Sequence, residues 1–254
     1  MRLDVALVER GLARSRNQAA VLISQGKVKV TGVSNPKASS EVDEKTKIEL
    51  TGELYVARSA GKLSNALDQF HVSVPAVCLD VGASTGGFTQ VLLERGAELV
   101  LAVDVGHGQL ARELAEDARV VNLEGRNIRE LSDLELGPRT PEISLVVVDL
   151  SFISLSLVAQ KLIELAPKAE AIALIKPQFE LDRSKLSSAG IVTSKQDRHQ
   201  AVGKVIDAFA WVGYGLVGLI PSAVVGSHGN QEYLAHFIPG ELGKINSDAI
   251  AELV

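Results

Sequence analysis

The sequence is poor in the features that mark secreted, membrane-bound and disulfide-linked proteins. It contains a single cysteine, Cys78, which excludes an internal disulfide and indicates a reducing compartment. No apolar run reaches the roughly 18 residues that a membrane-spanning helix needs. The first four residues include an acid, where a signal peptide requires an apolar stretch. We therefore expect a cytoplasmic protein that has no membrane partner.

Metal ligands are scarce as well. The five histidines are scattered, and none has the spacing to another histidine, to a cysteine or to a carboxylate that a metal site requires. We expect no bound metal. Hydrophobic residues make up 46% of the 254 residues, which is enough for one large domain or for a medium domain with a small one.

Charge is distributed unevenly along the chain. The whole chain carries a net charge of −5, but up to Leu50 nine bases face six acids, which gives +3 there and −8 in the remainder. Such asymmetry predicts two modules with different partners. We place a small first domain at 1–52, a linker at 53–60 and a larger second domain at 61–254.

The first module has the pattern of a small α+β domain. Apolar spacing predicts a helix that ends near Gly11, and a second helix follows with Ser15 as its N-cap. Two short alternating segments, 28–31 and 48–50, predict a small sheet. Basic residues flank both ends of the second helix, where they could contact RNA phosphates or form only a solvated surface. These residues are Arg14, Arg16, Lys27 and Lys29.

The order of residues in this segment favours RNA over a solvated surface. The runs R-L-D, R-G-L, S-R and I-S-Q-G-K-V-K-V-T-G lie within about the first 50 residues. They resemble the RNA-binding domain named after the fourth small-subunit ribosomal protein. The resemblance implies that the arginine-bearing helix pair and the strand after it bind structured RNA.

From residue 75 onward, apolar runs alternate with amphipathic segments that have helical spacing, at 89–95, 157–165 and 198–211. This alternation predicts a mostly parallel sheet that is covered on both faces. The last run follows its predecessor through a loop alone, so we expect an antiparallel last strand, as in class I methyltransferases. The predicted fold is α/β, with a Rossmann-like sheet of seven strands. The strands are expected at 77–79, 99–103, 120–121, 145–148, 171–175, 216–220 and 233–238.

A glycine-rich loop follows the first of these strands and predicts a nucleotide cofactor. Glycines let the backbone approach a ligand and let a helix N-terminus point at it. Nicotinamide dehydrogenases also use such a loop, but their G-x-G-x-x-G pattern is absent because Ser84 stands at the second glycine. Asp80 and Asp104 instead suit the methionine end and the ribose of S-adenosylmethionine. The predicted cofactor residues are Asp80, Gly82, Ala83, Ser84, Gly86, Gly87, Phe88, Asp104 and Asn127.

Asn127 has two interpretations. It follows the third strand, where an amide can recognise the adenine edge of the cofactor. It equally fits the N-cap of a surface helix, because asparagine is a preferred residue at that position. The sequence leaves both open.

Four charged residues are expected to meet at one edge of the sheet. Asp149 ends the fourth strand, Lys176 ends the fifth, and Glu232 precedes the antiparallel seventh, which starts at the same edge. Lys62 lies on the segment leading into the domain and is expected to fold over the same cleft. A buried lysine beside another cation gives up its proton readily and can act as the base that a ribose hydroxyl needs. Taken singly, each of these residues fits a surface ion pair as well.

Five motifs extend over nearly all of the second domain. They are D-V-G-A-S-T-G-G-F-T, D-V-G-H-G-Q-L, D-L-S-F-I-S-L, K-P-Q-F-E and G-N-Q-E-Y. Together with the first domain they resemble the TlyA family, whose members also carry the name haemolysin. The resemblance implies S-adenosylmethionine-dependent 2'-O-methylation of cytidine in the ribosomal RNA of either subunit. It also implies a catalytic tetrad of the FtsJ type, with Lys176 as the base. Its members are Lys62, Asp149, Lys176 and Glu232. The loop 181–192 holds fewer glycines than is usual in the family.

Other functions fit parts of the sequence. A ribosome-assembly factor could bind RNA and keep an idle cofactor fold, but the presence of all four charged residues argues against it. A haemolysin would need a spanning helix or a strongly amphipathic basic helix, and the sequence has neither. Methylation of a cytosine carbon would need a reactive cysteine, whereas Cys78 lies inside the first strand and is expected to be buried and inert.

Overall fold

The computed structural model describes residues 1–13, 15–24, 26–51, 55–226, 229–241, 243, 245 and 247–254. They form two compact units, Met1–Tyr55 and Val56–Val254. The boundary between the units lies inside the segment 53–60, which we predicted as a linker. The basic residue Arg14 lies outside the described residues.

The first unit contains two helices and a two-stranded antiparallel sheet, as the sequence predicts. Its elements are α1 (Leu3–Glu9), α2 (Arg16–Ser24), β1 (Val28–Val30) and β2 (Ile48–Leu50). In the sheet, Lys29 lies opposite Glu49, and the two valines of β1 are buried on the other face. The apolar side chains of α1, α2 and β1 share a small core, in which Leu3, Ala6 and Leu7 have no exposed surface.

The second unit is built on a seven-stranded sheet. Its strands are β3 (Val77–Val81), β4 (Leu99–Asp104), β5 (Val120–Glu124), β6 (Leu145–Val148), β7 (Glu170–Ile175), β8 (Tyr214–Pro221) and β9 (Tyr233–Pro239). Their order across the sheet is β5-β4-β3-β6-β7-β9-β8. Strands β3 to β7 pair in parallel, whereas β9 pairs antiparallel with both β7 and β8. This topology confirms the predicted fold class, including the antiparallel last strand.

Helices cover the sheet. They are α3 (Ser59–Phe70), α4 (Gly87–Glu94), α5 (Arg112–Ala115), α6 (Asp133–Leu136), α7 (Ala159–Leu165), α8 (Pro177–Glu180), α9 (Lys195–Trp211) and α10 (Ser247–Leu253). The central strands β3 and β6 are buried along their whole length, because helices exclude water from both faces. Helix α9 begins earlier than its apolar pattern indicates, since the Ser194 hydroxyl accepts a hydrogen bond from the Asp197 amide (3.2 Å) and caps the helix.

Helix α3 is the element that the sequence pattern did not separate from the linker. It starts at Ser59, so the last two residues of the predicted linker are helical. Its apolar face packs inward through Leu63 and Leu67, which are buried. Lys62 lies on this helix and is also buried. The helix therefore delivers a lysine to the interior of the unit.

Candidate active site

The charged side chains that the sequence predicts for catalysis and cofactor binding lie mostly at the edge of the sheet where the parallel strands end. Asp80 is the penultimate residue of β3, Asp104 ends β4, and Asp149 follows β6. Lys176 follows β7, and Glu232 immediately precedes β9, which starts at this edge because it is antiparallel. Open α/β sheets bind their ligands at this edge.

The four predicted catalytic residues form two ion pairs. Lys176 Nζ lies 2.7 Å from Asp149 Oδ1 and donates a hydrogen bond to Ser151 Oγ (2.8 Å). Lys62 Nζ pairs with Glu232 Oε2, and only 9% and 3% of these two side chains are exposed. A cavity of about 450 Å³, the lysine cavity, is lined by Lys176 and Glu232 together with Gln178, Phe179 and Asn230, among others. The structure thus brings members of both pairs to one cavity.

A second cavity, the strand-end cavity, has a volume of about 470 Å³. Predicted cofactor residues that line it are Gly82, Ser84, Asp104 and Asn127. The smaller cavity beside it, of about 160 Å³, is lined by Gly82, Ala83, Ser84 and Phe88 as well as by Lys176. Asp80, Gly86 and Gly87 line neither. The volume of the strand-end cavity lies within the range of ordinary small-molecule sites.

Asp104 organises the wall of the strand-end cavity. Its Oδ2 accepts a hydrogen bond from the Ser84 amide (2.8 Å), and its Oδ1 accepts one from the Gly106 amide (2.7 Å). Each carboxylate oxygen keeps a further lone pair for a ligand. The residue therefore joins the glycine-rich loop to the turn after β4 while remaining an acceptor on the cavity wall.

Glu124, at the end of β5, is a site residue that our sequence reasoning missed. Its Oε1 accepts hydrogen bonds from the amides of Gln109 (2.6 Å) and Leu110 (3.0 Å). These backbone hydrogen bonds, that of Leu110 foremost, lower its pKa to about 2. The carboxylate thereby fixes the loop that brings Gln109 to the strand-end cavity. An acid at the end of a third parallel strand was the available signal.

Asp80 lies beneath the cavities. It has no exposed surface, and its Oδ2 accepts a hydrogen bond from Thr89 Oγ1 (2.6 Å), while Oδ1 has no hydrogen-bond partner among the described residues. Burial, with the negative charge of Asp149 as a further contribution, raises its pKa to about 7. The predicted contact of Asp80 with a cofactor would therefore need a change in its surroundings, and its role stays a prediction.

Two glycines of the loop are required by protein packing. Gly82 has φ +89°, and a Cβ there would lie 2.5 Å from the Asp149 carbonyl oxygen. A Cβ at Gly87 would overlap Ser59 Oγ at the start of α3. The loop thus lets β3 approach β6 and lets α4 approach the helix that carries Lys62. Gly86 is the N-cap residue of α4.

Two non-glycine residues at the strand-end cavity have left-handed backbone conformations. Ser84 has φ +49° and Phe152 has φ +65°. Such conformations cost free energy and concentrate at functional sites. The Phe152 side chain is 91% exposed, and its ring lies 5.1 Å from the ring of Phe179. An exposed aromatic ring therefore stands beside the Lys176–Asp149 pair.

Asn230 and Glu180 brace the lysine cavity, and our sequence reasoning assigned a role to neither. Asn230 Oδ1 accepts a hydrogen bond from the Val192 amide (3.0 Å), and its Nδ2 donates one to the Gly190 carbonyl (3.0 Å). Buried Glu180 accepts hydrogen bonds from the Ser154 hydroxyl and from the Leu155 amide (2.8 Å). Burial raises the pKa of Glu180. Both residues belong to the motifs that carry Lys176 and Glu232.

Asn127 lines the strand-end cavity, but its side chain is used locally. Its Oδ1 accepts a hydrogen bond from the Arg129 amide (3.1 Å), and its Nδ2 donates one to Glu130 Oε1 (3.0 Å). The segment forms a turn, with no helix for Asn127 to cap. Its predicted contact with an adenine stays a prediction.

The basic residues of the first unit have mixed surroundings. Arg16 donates two hydrogen bonds to Asp4 Oδ2, at 2.8 and 3.0 Å, although 60% of its side chain is exposed. The guanidinium of Arg2 and that of Arg16 hold the pKa of Asp4 far below its usual range. Lys27 Nζ lies 4.9 Å from the centre of the Tyr55 ring, while Lys29 is exposed.

Known families and proteins match this chain over most of its length. The FtsJ-like methyltransferase family matches residues 55–238, and the S4 domain matches residues 1–45. A protein of Mycobacterium tuberculosis named 16S/23S rRNA (cytidine-2'-O)-methyltransferase TlyA is 44% identical over 91% of this chain and 87% of its own length. The chain belongs to the TlyA family of FtsJ-like methyltransferases. It is a methyltransferase with an RNA-binding domain.

Other members of the TlyA family carry a different name. Hemolysin A of Brachyspira hyodysenteriae is 38% identical over 94% of this chain and 100% of its own length. A solved structure from Streptococcus thermophilus that carries the hemolysin name has a TM-score of 0.76 and 35% identity, covering 100% of this chain and 94% of that one. In the described part of this chain, no helix is long and apolar enough to cross a membrane.

Proposed function

We propose that the protein methylates the 2'-hydroxyl of cytidine in ribosomal RNA, with S-adenosylmethionine as methyl donor, in the cytoplasm. The observation that carries the proposal is the Lys176–Asp149 pair, which borders both the strand-end cavity and, through Lys176, the lysine cavity. The printed activity of the M. tuberculosis relative supports the same substrate. A ribose hydroxyl is a weak nucleophile, so a positioned amine beside it has a clear chemical use.

The strand-end cavity fits the methyl donor. Gly82 and Ser84 of the glycine-rich loop, Asp104 and Asn127 would hold it, with Asp104 accepting hydrogen bonds from ribose hydroxyls. When bound, S-adenosylmethionine supplies a methyl group attached to a positively charged sulfur. The remaining acceptor capacity of Asp104 and the strained backbone of Ser84 support this assignment.

The residues of this chain prepare the nucleophile. Lys176 would take the proton of the ribose hydroxyl, which leaves the oxygen able to accept the methyl group that the bound donor supplies. Asp149 holds the Lys176 amine in place and stabilises the ammonium that results. The buried Lys62–Glu232 pair adds one positive and one negative charge beside the lysine cavity, and it holds α3 against the start of β9.

Two observations support RNA as the proposed substrate. Phe152 offers an exposed ring at the mouth of the site, and nucleotide bases stack on such rings. The first unit, which we place at 1–52 ahead of a linker at 53–60 and a catalytic domain at 61–254, would bind RNA phosphates through Arg14, Arg16, Lys27 and Lys29. Its net charge of +3 up to Leu50 agrees with that role.

Methyl transfer to purified ribosomal subunits tests the proposal. We expect label from S-adenosylmethionine to enter ribosomal RNA and nucleoside analysis to recover 2'-O-methylcytidine. Lys176→Ala is the matched control, which we expect to bind the cofactor but to transfer no methyl group. Label recovered on a base, on another nucleoside or on protein would contradict the proposed reaction.

A further inference from the structure

Ser151 lies where the cavities of the site meet. It follows Asp149 by two residues in the loop after β6. It lines the strand-end cavity, the lysine cavity and the smaller cavity, and among the described residues it is the one common to all three linings. A hydroxyl at this point is close to any group that passes from a methyl donor in one cavity to an acceptor in the next.

The contacts of Ser151 concern the amine of Lys176. Lys176 Nζ donates to Ser151 Oγ at 2.8 Å and lies 2.7 Å from Asp149 Oδ1. A lysine that has given up one proton keeps two N–H bonds and one lone pair. Ser151 Oγ accepts one of those N–H bonds, and the Asp149 carboxylate lies beside the nitrogen as its ion-pair partner, so the lone pair is turned away from both oxygens. The two partners together therefore decide where the amine can take up a proton.

The backbone around Ser151 is held in place. The next residue, Phe152, has φ +65°, which turns the chain sharply. Three residues further on, the loop is fastened to α8 because Glu180 accepts hydrogen bonds from Ser154 and from the Leu155 amide. Helix α8 directly follows Lys176. The serine hydroxyl and the lysine stem are thus anchored to one another through buried Glu180.

We propose that Ser151 is a positioning residue for the methyl transfer, because its hydroxyl accepts one N–H of Lys176 and so aims the lone pair of the amine at the target hydroxyl. The inference rests on the proposed function, in which Lys176 is the base. Without the serine hydroxyl, the amine keeps its ion pair with Asp149 but loses the hydrogen bond that limits rotation about its Cε–Nζ bond. The base is then present but misdirected, and misorientation of a reacting group can cost about 10²-fold in rate.

Ser151→Ala and Ser151→Thr separate this role from packing. In the full-length protein we expect Ser151→Ala to lower kcat about 10- to 100-fold while KM for ribosomal subunits and the affinity for S-adenosylhomocysteine change less than about twofold. Ser151→Thr keeps the hydroxyl and should retain most of the activity. Ser144→Ala, at the opposite edge of the sheet, is the matched control and should behave as the unaltered protein. Unchanged kcat in Ser151→Ala, or equal losses in the alanine and threonine variants, would overturn the inference.

A second measurement does not depend on the substrate. The nitrogen-15 NMR signal of the Lys176 side-chain amine is assigned by its absence in Lys176→Arg. It reports the rate at which the protons of the amine exchange with water, which we expect to be slow. We expect Ser151→Ala to speed that exchange and Ser151→Thr to preserve it. If the unaltered protein methylates no ribosomal RNA, the proposed function fails, and this signal still decides whether Ser151 holds the amine. An unchanged signal in Ser151→Ala refutes the positioning role in either case.

Discussion

Asp80→Asn replaces a carboxyl group that has no contact with solvent. In the folded protein the pKa of Asp80 is raised from 3.8 to about 7, first by burial and further by Asp149. Between pH 3.8 and about 7, Asp80 therefore keeps its proton in the folded state, whereas the unfolded chain has released it. Since the folded state binds more protons in this window, the free energy of unfolding falls as the pH rises from about 4 to 7. The loss amounts to about 4 kcal/mol by pH 8.

Asparagine stays neutral throughout that window. It can still accept the hydrogen bond from Thr89, but its amide nitrogen replaces an oxygen for which the described part of the chain offers no partner, which costs about 1–3 kcal/mol. We therefore expect Asp80→Asn to be less stable than the unaltered protein at pH 4.5 and more stable at pH 8. The difference in unfolding free energy should change sign between the two.

Urea unfolding of the full chain without cofactor, followed by circular dichroism at both pH values, measures this difference. Asp207→Asn, on the exposed face of α9, is the control and should shift neither curve. If the two proteins differed by the same free energy at pH 4.5 and pH 8, Asp80 would not titrate as its burial requires, and the reasoning would be refuted.

The remaining predictions concern binding and catalysis. Asp104→Ala should raise the Kd for S-adenosylhomocysteine at least about tenfold, because each lost charge-assisted hydrogen bond is worth about 1.5–3 kcal/mol; unchanged affinity by calorimetry would remove Asp104 from the cofactor site. Lys176→Arg keeps the charge but gives up no proton in the working range, so we expect the same loss of turnover as in Lys176→Ala; substantial turnover would leave Lys176 a purely electrostatic role. Arg16→Gln should weaken RNA binding and reduce the slope of log affinity against log salt concentration by about one, while Asp4 keeps its pairing with Arg2. An unchanged slope would show that Arg16 does not contact RNA. Phe152→Ala should weaken RNA binding by about 1–3 kcal/mol without affecting the cofactor, and equal RNA affinity would argue against stacking.

The sheet and its active edge could be predicted because both depend on local pattern. Apolar runs in alternation with helical segments identify the strands, and parallel strands end at one edge whatever their order. The chain order alone therefore predicts that Asp149 and Lys176 lie at the same edge of the sheet. Lys62 is different, because the start of its helix was assigned to a linker, so its place over the cleft did not follow from the order of the strands.

Residues whose roles depend on contacts between distant segments could not be predicted in this way. Nothing in the sequence indicates that Glu124 fastens the loop before α5, or that Asn230 spans two backbone groups of a loop some 40 residues earlier. The burial of Asp80 beneath the loop is likewise a result of packing. The hydrogen bonds of Arg16 to Asp4 are a further case, since charge alone could not indicate them, and the contact of Arg16 with RNA stays a prediction.

The pairing of Lys62 with Glu232 also bears on the order in which the enzyme becomes competent. The two residues are 170 positions apart, and Glu232 lies just before the strand that completes the sheet. During synthesis, α3 leaves the ribosome long before β9 does. Until then Lys62 has no carboxylate to neutralise it, so α3 cannot bury that side chain without a large free-energy cost. A growing chain therefore lacks one of the two ion pairs of the site, and we expect methyl transfer to begin only when the last strand is in place.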